Sequence, residues 1–512
     1  MSMRPDLPSF IYSAAATREL DAQIIAAGTP GFELMQRAAA AVWRELRRRW
    51  PHAGRLTVFC GGGNNGGDGY LVARLAERSG WQVQVWAVAP AERLQGDAHR
   101  AWQAARDAGV DIRCWTGEQV REGVIVDALL GTGLRAPVRE PFQRAIAAIN
   151  ASGLPVVAVD LPSGLDADRG VADCAVRADL TVTFIVLKPG LLTGQGPDQA
   201  GELCFAALAD LPASGVAPVL ERLTLARCRA WLPARPRAAH KGMFGHLLVI
   251  GGNRGMGGAI MLAAETALRC GAGKVSVATR SDHVPSILAR CPEVMAHGVD
   301  DPAQLAALLK PATAVVLGPG LGTDSWAQQL LDQVLAHDAP RILDADALNL
   351  IAAAPQPRPL GPGTVMTPHP RPLGPGTVMT PHPAEAARLL GCATAAVQAD
   401  RLAAARRLVE RFGCTAVLKG VGSLVADPDP RALPALCSAG NPGMASAGMG
   451  DVLSGLVGAL LAQHLEAGAA ARYAVLLHAL AGDRAAEQGG QLGLIASDLI
   501  SSIRYYLNLR DI

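Results

Sequence analysis

The chain has 512 residues, half of them hydrophobic and only 18% charged, a balance that supports sizeable buried cores and excludes long disordered tracts. Lysine and arginine number 47 against 45 aspartates and glutamates, so no excess charge points to nucleic acid or a membrane surface as partner. At roughly 150 residues per domain the length suggests about three domains, but two large α/β units fit the element pattern better.

The ten cysteines are scattered, with no C-x-x-C pair, and give neither a zinc framework nor a disulfide ladder. A reduced, cytoplasmic chain is expected. The N-terminus has no charged region followed by an apolar core, and no apolar run approaches the ~18 residues of a membrane span.

From Thr17 to Trp50 an apolar stripe that includes Leu20, Ile24, Leu34, Met35, Val42 and Leu46 predicts helix, broken at Gly28-Thr29-Pro30-Gly31. Leu56 to Cys60 reads as a buried strand, followed by GGGNNGGDG (Gly61 to Gly69) and a helix from Tyr70 to Ser79. Gly61, Gly63 and Gly66 satisfy G-x-G-x-x-G, but the next strand, Val83 to Val88, ends in Ala89-Pro90. No acid stands there for a ribose hydroxyl, which disfavours an ordinary dehydrogenase. Asn64, Asn65 and Asp68 exceed what a tight Asn-Gly turn requires and point to a ligand or cation.

Strands at Val124 to Asp127 and Val156 to Val159 run into LLGTGL (Leu129 to Leu134) and DLPSG (Asp160 to Gly164). Carboxyl ends of parallel strands line one crevice, so Asp127, Gly131 to Gly133, Asp160 and Ser163 should converge with Asn64 to Asp68. Such oxygen donors suit a hard cation.

On LMQRA (Leu34 to Ala38), GGGNNGGDG, VDALLGTGL (Val126 to Leu134), VDLPSGLDAD (Val159 to Asp168) and TFIVLKPGL (Thr183 to Leu191), residues 10 to 210 resemble the NAD(P)H-hydrate epimerase family. The resemblance implies a Rossmann-like fold that interconverts the R and S epimers of hydrated NADH or NADPH. It also implies hydrate contacts at Asn64, Asn65, Gly66, Gly67, Asp68, Gly131, Thr132, Gly133, Leu134, Arg135, Ala136, Pro137 and Asp160. A potassium ion would sit at Asn65, Asp127 and Ser163. Asp160 is the candidate acid–base group, because inverting the hydrated carbon moves a proton off and onto the hydroxyl or ring. Lys188 stands either as its electrostatic partner or as a surface lysine before the Pro189-Gly190 turn. Gln36 and Ala39 replace the family's usual Glu and Gly, at positions expected to affect packing.

Prolines 212, 218, 233 and 236 and the arginines among them predict a linker over 212–239, joining a domain over 10–211 to one over 240–508. Beyond it, strand patterns at Leu247 to Ile250, Lys274 to Thr279, Ala314 to Leu317, Arg341 to Leu343 and Thr415 to Leu418 alternate with helical stretches. That alternation predicts a second, mainly parallel sheet covered by helices. Gly271-Ala272-Gly273-Lys274 fails as a P-loop, since Val275 follows the lysine.

The stretch GNPGMASAGMGDVLSGLVGALLA, Gly440 to Ala462, carries a glycine loop straight into a buried helix. A helix start presents unpaired N–H groups and the positive end of a dipole, so an anion belongs there. On the loop alone, Asp451 reads equally as an N-cap or as a general base for a hydroxyl attacking phosphorus. Further polar clusters end the predicted strands: Gly318 to Gly322, DADALN (Asp344 to Asn349), TPHPAE (Thr380 to Glu385) and Lys419 to Ser423.

With HKGMFG and GGNRGMGGA, these motifs over about residues 225 to 508 resemble the ribokinase-like superfamily and, within it, the ADP-dependent NAD(P)H-hydrate dehydratases. That resemblance implies adenine-nucleotide contacts at Lys419, Gly420, Val421, Gly422, Ser423 and Gly450, and hydrate contacts at Ala259, Gly320, Gly322, His382 and Asp451. It also implies a reaction: ADP, with magnesium, phosphorylates the ring hydroxyl of the S-hydrate, and phosphate is then expelled. Under that chemistry Asp451 becomes the base rather than a mere cap. Ala447 and Met449 replace the family's Gly and Thr, which bears on nucleotide affinity.

RPLGPGTVMTPHP occurs twice, at Arg358 to Pro370 and Arg371 to Pro383. Two identical units cannot fill one slot in a sheet, and the second, which leads into the helix near Ala384, is expected to be the one used, leaving His369 idle. The leading expectation is a repair enzyme with two active sites, acting on small molecules and self-associating as such sheet proteins often do. The alternatives are a ribokinase-like kinase with a ligand-binding partner domain, and a nucleotide sensor that binds without turnover.

Overall fold

The computed structural model describes residues 7–134, 137–213, 215–354 and 372–509, and the chain divides into two compact units, Met1–Glu221 and Arg222–Ile512. In the first unit, β1 (Phe10–Ile11) pairs antiparallel with β9 (Leu220–Arg222), Phe10 opposite Glu221. Between them lie β2 (Arg55–Cys60), β3 (Gln82–Ala87), β4 (Asp111–Cys114), β5 (Val124–Ala128), β6 (Val156–Val159), β7 (Leu180–Phe184) and β8 (Glu202–Ala206). They form a parallel sheet in the order β4-β3-β2-β5-β6-β7-β8. Every residue of β5, β6 and β7 is buried, as continuous apolar runs require when helices cover both faces. The chain order turns back between β2 and β5, and the crevice beyond their carboxyl ends is the switch point where such sheets bind ligands.

The expected helical pair is present as Ala14–Ala26, capped by the Ser13 hydroxyl, and Gly31–Arg49. The glycine loop after β2 is shorter than its composition suggests. The helix Asn64–Arg78 starts inside it, because the glycines serve close packing rather than looping. A Cβ on Gly66 would fall 2.1 Å from the Gly61 carbonyl oxygen, and one on Gly69 would fall 2.5 Å from the Ala128 Cβ.

The second unit holds β10 (His246–Ile250), β11 (Lys274–Thr279), β12 (Met295–Gly298), β13 (Ala314–Leu317), β14 (Arg341–Leu343), β15 (Thr377–Met379), β16 (Thr415–Leu418), β17 (Ser423–Ala426) and β18 (Ala435–Cys437). Their order is β18-β17-β16-β15-β14-β13-β10-β11-β12, parallel from β12 to β16 and antiparallel beyond. The second copy of the repeat supplies β15 and leads into the helix Pro383–Leu390, whereas the first copy, with His369, lies outside the described residues, as does Arg371.

Within the expected linker over 212–239, the chain forms β9 and a short helix, Leu225–Arg229. Cys228 is fully buried, and the Leu223 amide donates to the Leu436 carbonyl at 2.9 Å, so Leu223 and Cys228 belong to the second unit's core. That core centres on the helix Met449–Ala462, buried at nearly every position because sheet and helix flank it. Gly455 and Gly458 permit the fit: a Cβ at Gly455 would lie 2.2 Å from the Ala263 carbonyl oxygen, and one at Gly458 would lie 2.4 Å from Val316. Among the described residues no helix is long and apolar enough to cross a membrane.

Candidate active sites

Beyond β2, β5 and β6 a cavity of about 450 Å³ opens in the first unit. Asn64, Asn65, Asp68, Gly131, Thr132, Gly133, Leu134 and Asp160 line it as the sequence suggested, joined by Arg18, Asp21 and Lys188. Gly66 and Gly67 lie behind the wall, packed on Gly61 and on Met35 and Ala98. Pro137 borders a neighbouring 220 Å³ hollow, and Arg135 and Ala136 lie outside the described residues.

Asp160 follows β6 in a left-handed conformation, φ 65°, which a non-glycine residue adopts only when its surroundings hold it. What holds it is a set of donors converging on Oδ1: Lys188 Nζ at 2.5 Å, Thr183 Oγ1 at 3.1 Å and the Phe184 amide at 3.1 Å. Lys188 is not a surface lysine. Its side chain is 1% exposed and donates also to Thr183 Oγ1 and the Phe184 carbonyl, so the ammonium is fully saturated by this one corner. Asp68 is pushed well above the ordinary carboxylate range by burial first, then by the charges of Asp160 and Asp21.

Asp127 is fully buried at the end of β5. Its Oδ2 accepts the Ser163 amide at 2.7 Å, and its Oδ1 accepts the Ser163 hydroxyl at 2.5 Å and the Leu129 amide at 3.2 Å. Burial raises its pKa to about 6 against these hydrogen bonds, so the carboxylate lacks a compensating positive charge. The Asn65 amide is beside Gly131, where a Cβ would be 3.5 Å from Asn65 Oδ1, and its Nδ2 is buried without a partner among the described residues. A buried uncompensated carboxylate, the Ser163 hydroxyl oxygen and the Asn65 side-chain oxygen fit a monovalent cation held by oxygen.

In the second unit, Asp344 sits at the end of β14, fully buried, and joins the expected clusters. Its Oδ1 accepts Lys419 Nζ at 2.8 Å and its Oδ2 accepts the Ser454 hydroxyl at 2.7 Å. A Cβ built on Gly450 would lie 3.5 Å from both Asp344 Oδ2 and Lys419 Nζ, so the ammonium sits at the first turn of the Met449–Ala462 helix. Asp451 is therefore not its cap. Gly448 occupies the cap position at φ 86°, and Asp451 is the third helical residue, half-buried. Its pKa is raised to about 7, by burial first and then by Asp344 and Asp346, with Lys419 pulling the other way.

His382 caps the Pro383–Leu390 helix through Nδ1, and its Nε2 lies 3.4 Å from Glu385 Oε1. Glu385 Oε2 is in turn 4.0 Å from Lys419 Nζ. Gly320 abuts Ala259, whose Cβ would be 3.2 Å from a Cβ on the glycine, and the Gly322 amide donates to Asp346 at 2.8 Å. Of the loop after β16, Val421 is 55% exposed, the Ser423 hydroxyl donates to the Gly420 carbonyl, and buried Arg401 holds the carbonyls of Leu418 and Lys419.

Sequence reasoning gave no role to Ser454, His478 or Asp483. His478 donates to the Met449 carbonyl at 3.0 Å and burial lowers its pKa to about 4, so it is a neutral brace for the helix start. Asp483 accepts from the Gly440 amide and the Asn441 side chain, anchoring the other end of the loop. Their spacing on one helix, five residues apart, is the only signal the sequence carries.

Residues 31–190 match the family model described as YjeF-related protein N-terminus, and residues 247–504 match the one described as NAD(P)H-hydrate dehydratase. Over 508 residues the chain is 45% identical to the bifunctional NAD(P)H-hydrate repair enzyme Nnr of Coxiella burnetii, covering 97% of this chain and 99% of that one. Its identity to the Escherichia coli protein of the same name is 44% over 483 residues, 93% of this chain and 90% of that one. A solved ADP/ATP-dependent NAD(P)H-hydrate dehydratase from Bacillus subtilis, co-crystallised with ATP and Mg²⁺, is 31% identical with a TM-score of 0.49, covering 56% of this chain and 96% of that one.

Proposed function

The chain belongs to the bifunctional NAD(P)H-hydrate repair enzymes, and from that premise we propose how its residues divide the two reactions. Asp160 in the first unit exchanges the R and S hydrates, and Asp451 in the second starts the dehydration of the S form. The observation that carries the second assignment is a carboxylate with a pKa of about 7 beside Lys419 at a helix start.

In the second site Asp451 accepts the proton of the ring hydroxyl, and the oxygen so freed attacks the terminal phosphorus of ADP, whose bond to the bridging oxygen breaks and releases AMP. Lys419 and the open N–H groups of the helix face the charge that develops on the transferring group. Phosphate then leaves with the ring oxygen, the adjacent carbon gives up a proton, and the double bond of NADH or NADPH returns. A base of this pKa contributes roughly 10²- to 10⁴-fold in rate at neutral pH. Asp344 and Asp346 are already engaged by protein donors, so magnesium would enter on the nucleotide's phosphates rather than in a protein cage.

In the first site Asn65, Asp127 and Ser163 would hold potassium, which when bound supplies a fixed positive charge beside the hydrate. Lys188 keeps Asp160 oriented, and Asn64 and Asp68 on the first turns of the Asn64–Arg78 helix, with Gly131 to Leu134, grip the nicotinamide end. Ten free cysteines accord with a reducing cytoplasm.

The test is recovery of NADH absorbance from a mixture of hydrates with ADP and magnesium. Asp451→Asn should abolish it while epimer exchange continues, and Asp160→Asn should stop exchange while the S form is still consumed. Loss of both activities in either variant would defeat the division of labour.

A further inference from the structure

Water added to an enamine leaves its hydroxyl on the carbon next to the ring nitrogen, and inverting that carbon in both directions takes two proton-transfer groups. The acid of the forward reaction is the base of the reverse one. Asp160 supplies one group, since its bonds from Lys188, Thr183 and Phe184 all go to Oδ1 and leave Oδ2 for substrate. The other titratable side chains on the cavity wall are Arg18, Asp21, Asp68, Asp97 and Lys188. Arg18 is permanently charged and donates to the Thr132 carbonyl at 2.7 Å. Lys188 is saturated, Asp97 accepts from Arg100 at 3.2 Å, and Asp68 stands one helical turn from Asn65 in the cation corner.

Asp21 remains. It lies on the Ala14–Ala26 helix between Arg18 and Ile25, which also face the cavity, and it has no hydrogen-bond partner among the described residues. Burial first, then the Asp160 charge, raises its pKa above the ordinary carboxylate value, with Lys188 opposing. A carboxyl without a hydrogen-bond partner, whose surroundings favour its neutral form, on the same cavity wall as one that is ion-paired is the complement the reaction asks for.

We propose that Asp21 is the second acid–base residue of the epimerase site, paired with Asp160. The inference rests on the epimerase reading of this cavity. The carbon–oxygen bond breaks with its electrons going to oxygen, Asp21 gives that oxygen its proton, and water is released as the nitrogen lone pair forms a C=N bond. Water then adds to the other face, the C=N electrons return to nitrogen, and Asp160 accepts the proton that the new hydroxyl loses. One proton has moved from Asp21 to Asp160, and the reverse reaction returns it.

The experiment measures epimer exchange by full-length Asp21→Asn, Asp21→Glu and Asp160→Asn across pH 5–9, with consumption of the S-hydrate by the same preparations as the control for folding. Expected for Asp21→Asn is a loss of 100-fold or more, disappearance of the alkaline limb of the pH profile from the residual activity, and partial recovery in Asp21→Glu. If Asp160→Asn is inactive but Asp21→Asn stays within threefold of the parent, or loses activity with both limbs intact, the inference is overturned and the epimerase reading stands. If Asp160→Asn itself stays active, the reading of the cavity fails and the inference with it.

Discussion

Asp451→Asn should make the second unit more stable above neutral pH at the same time as it abolishes dehydration. The folded state raises this carboxyl from 3.8 to about 7. For an acid shifted upward, the contribution to stability is present in full below the unfolded pKa and is lost as pH rises through the folded one. At pH 8 the ionised side chain therefore opposes folding. Three pKa units at about 1.4 kcal/mol each set an upper bound of about 4 kcal/mol, and the solvent access of a half-buried group reduces this to about 1–2 kcal/mol. For a unit spanning Arg222–Ile512 that corresponds to a rise of about 2–3 °C in melting temperature at pH 8. The check is a pair of thermal scans of parent and variant at pH 4 and pH 8, where the gap should open only at the higher pH. A variant that melts no later than the parent at pH 8, or a gap of equal size at both values, would refute the burial argument. The parent's dehydration rate should fall about tenfold per unit below pH 7, as the base becomes protonated.

Lys188→Met removes the partner of a nearly buried carboxylate and should destabilise the first unit by about 3 kcal/mol, with epimer exchange lost in the soluble fraction; chemical denaturation and chiral separation of the hydrates read the two effects. Gly455→Ala places a methyl 2.2 Å from the Ala263 carbonyl and should cost about 2 kcal/mol or more by forcing two helices apart, seen as a lower denaturation midpoint. Exchange of potassium for tetramethylammonium should slow epimerisation in the parent but not in Asp127→Asn, whose corner no longer carries a charge for the cation to balance. Equal responses in both would show that the ion acts elsewhere.

The strand ends were readable because parallel strands buried on both faces leave unbroken apolar runs, and whatever polar residues follow must lie at one edge of the sheet. Asp127, Asp160, Asp344 and Lys419 were all found that way. What the sequence concealed depends on partners distant in the chain. Lys188 next to a Pro-Gly turn is indistinguishable from a surface lysine until β7 brings Thr183 and Phe184 around it. The three-residue β9 is too short to show a period, so what stands out in the sequence around it is the prolines and arginines. The glycines of Gly61 to Gly69 were misread as loop because composition records that a glycine is present, not whether it frees the backbone or admits a neighbour. In the helix that starts at Met449 both uses meet: Gly448 at φ 86° turns the chain, and Gly455 and Gly458 let the helix sink between sheet and helix. The depth of that seat leaves Asp451 short of water, and the missing water is what gives an ordinary aspartate the proton affinity of a base at neutral pH.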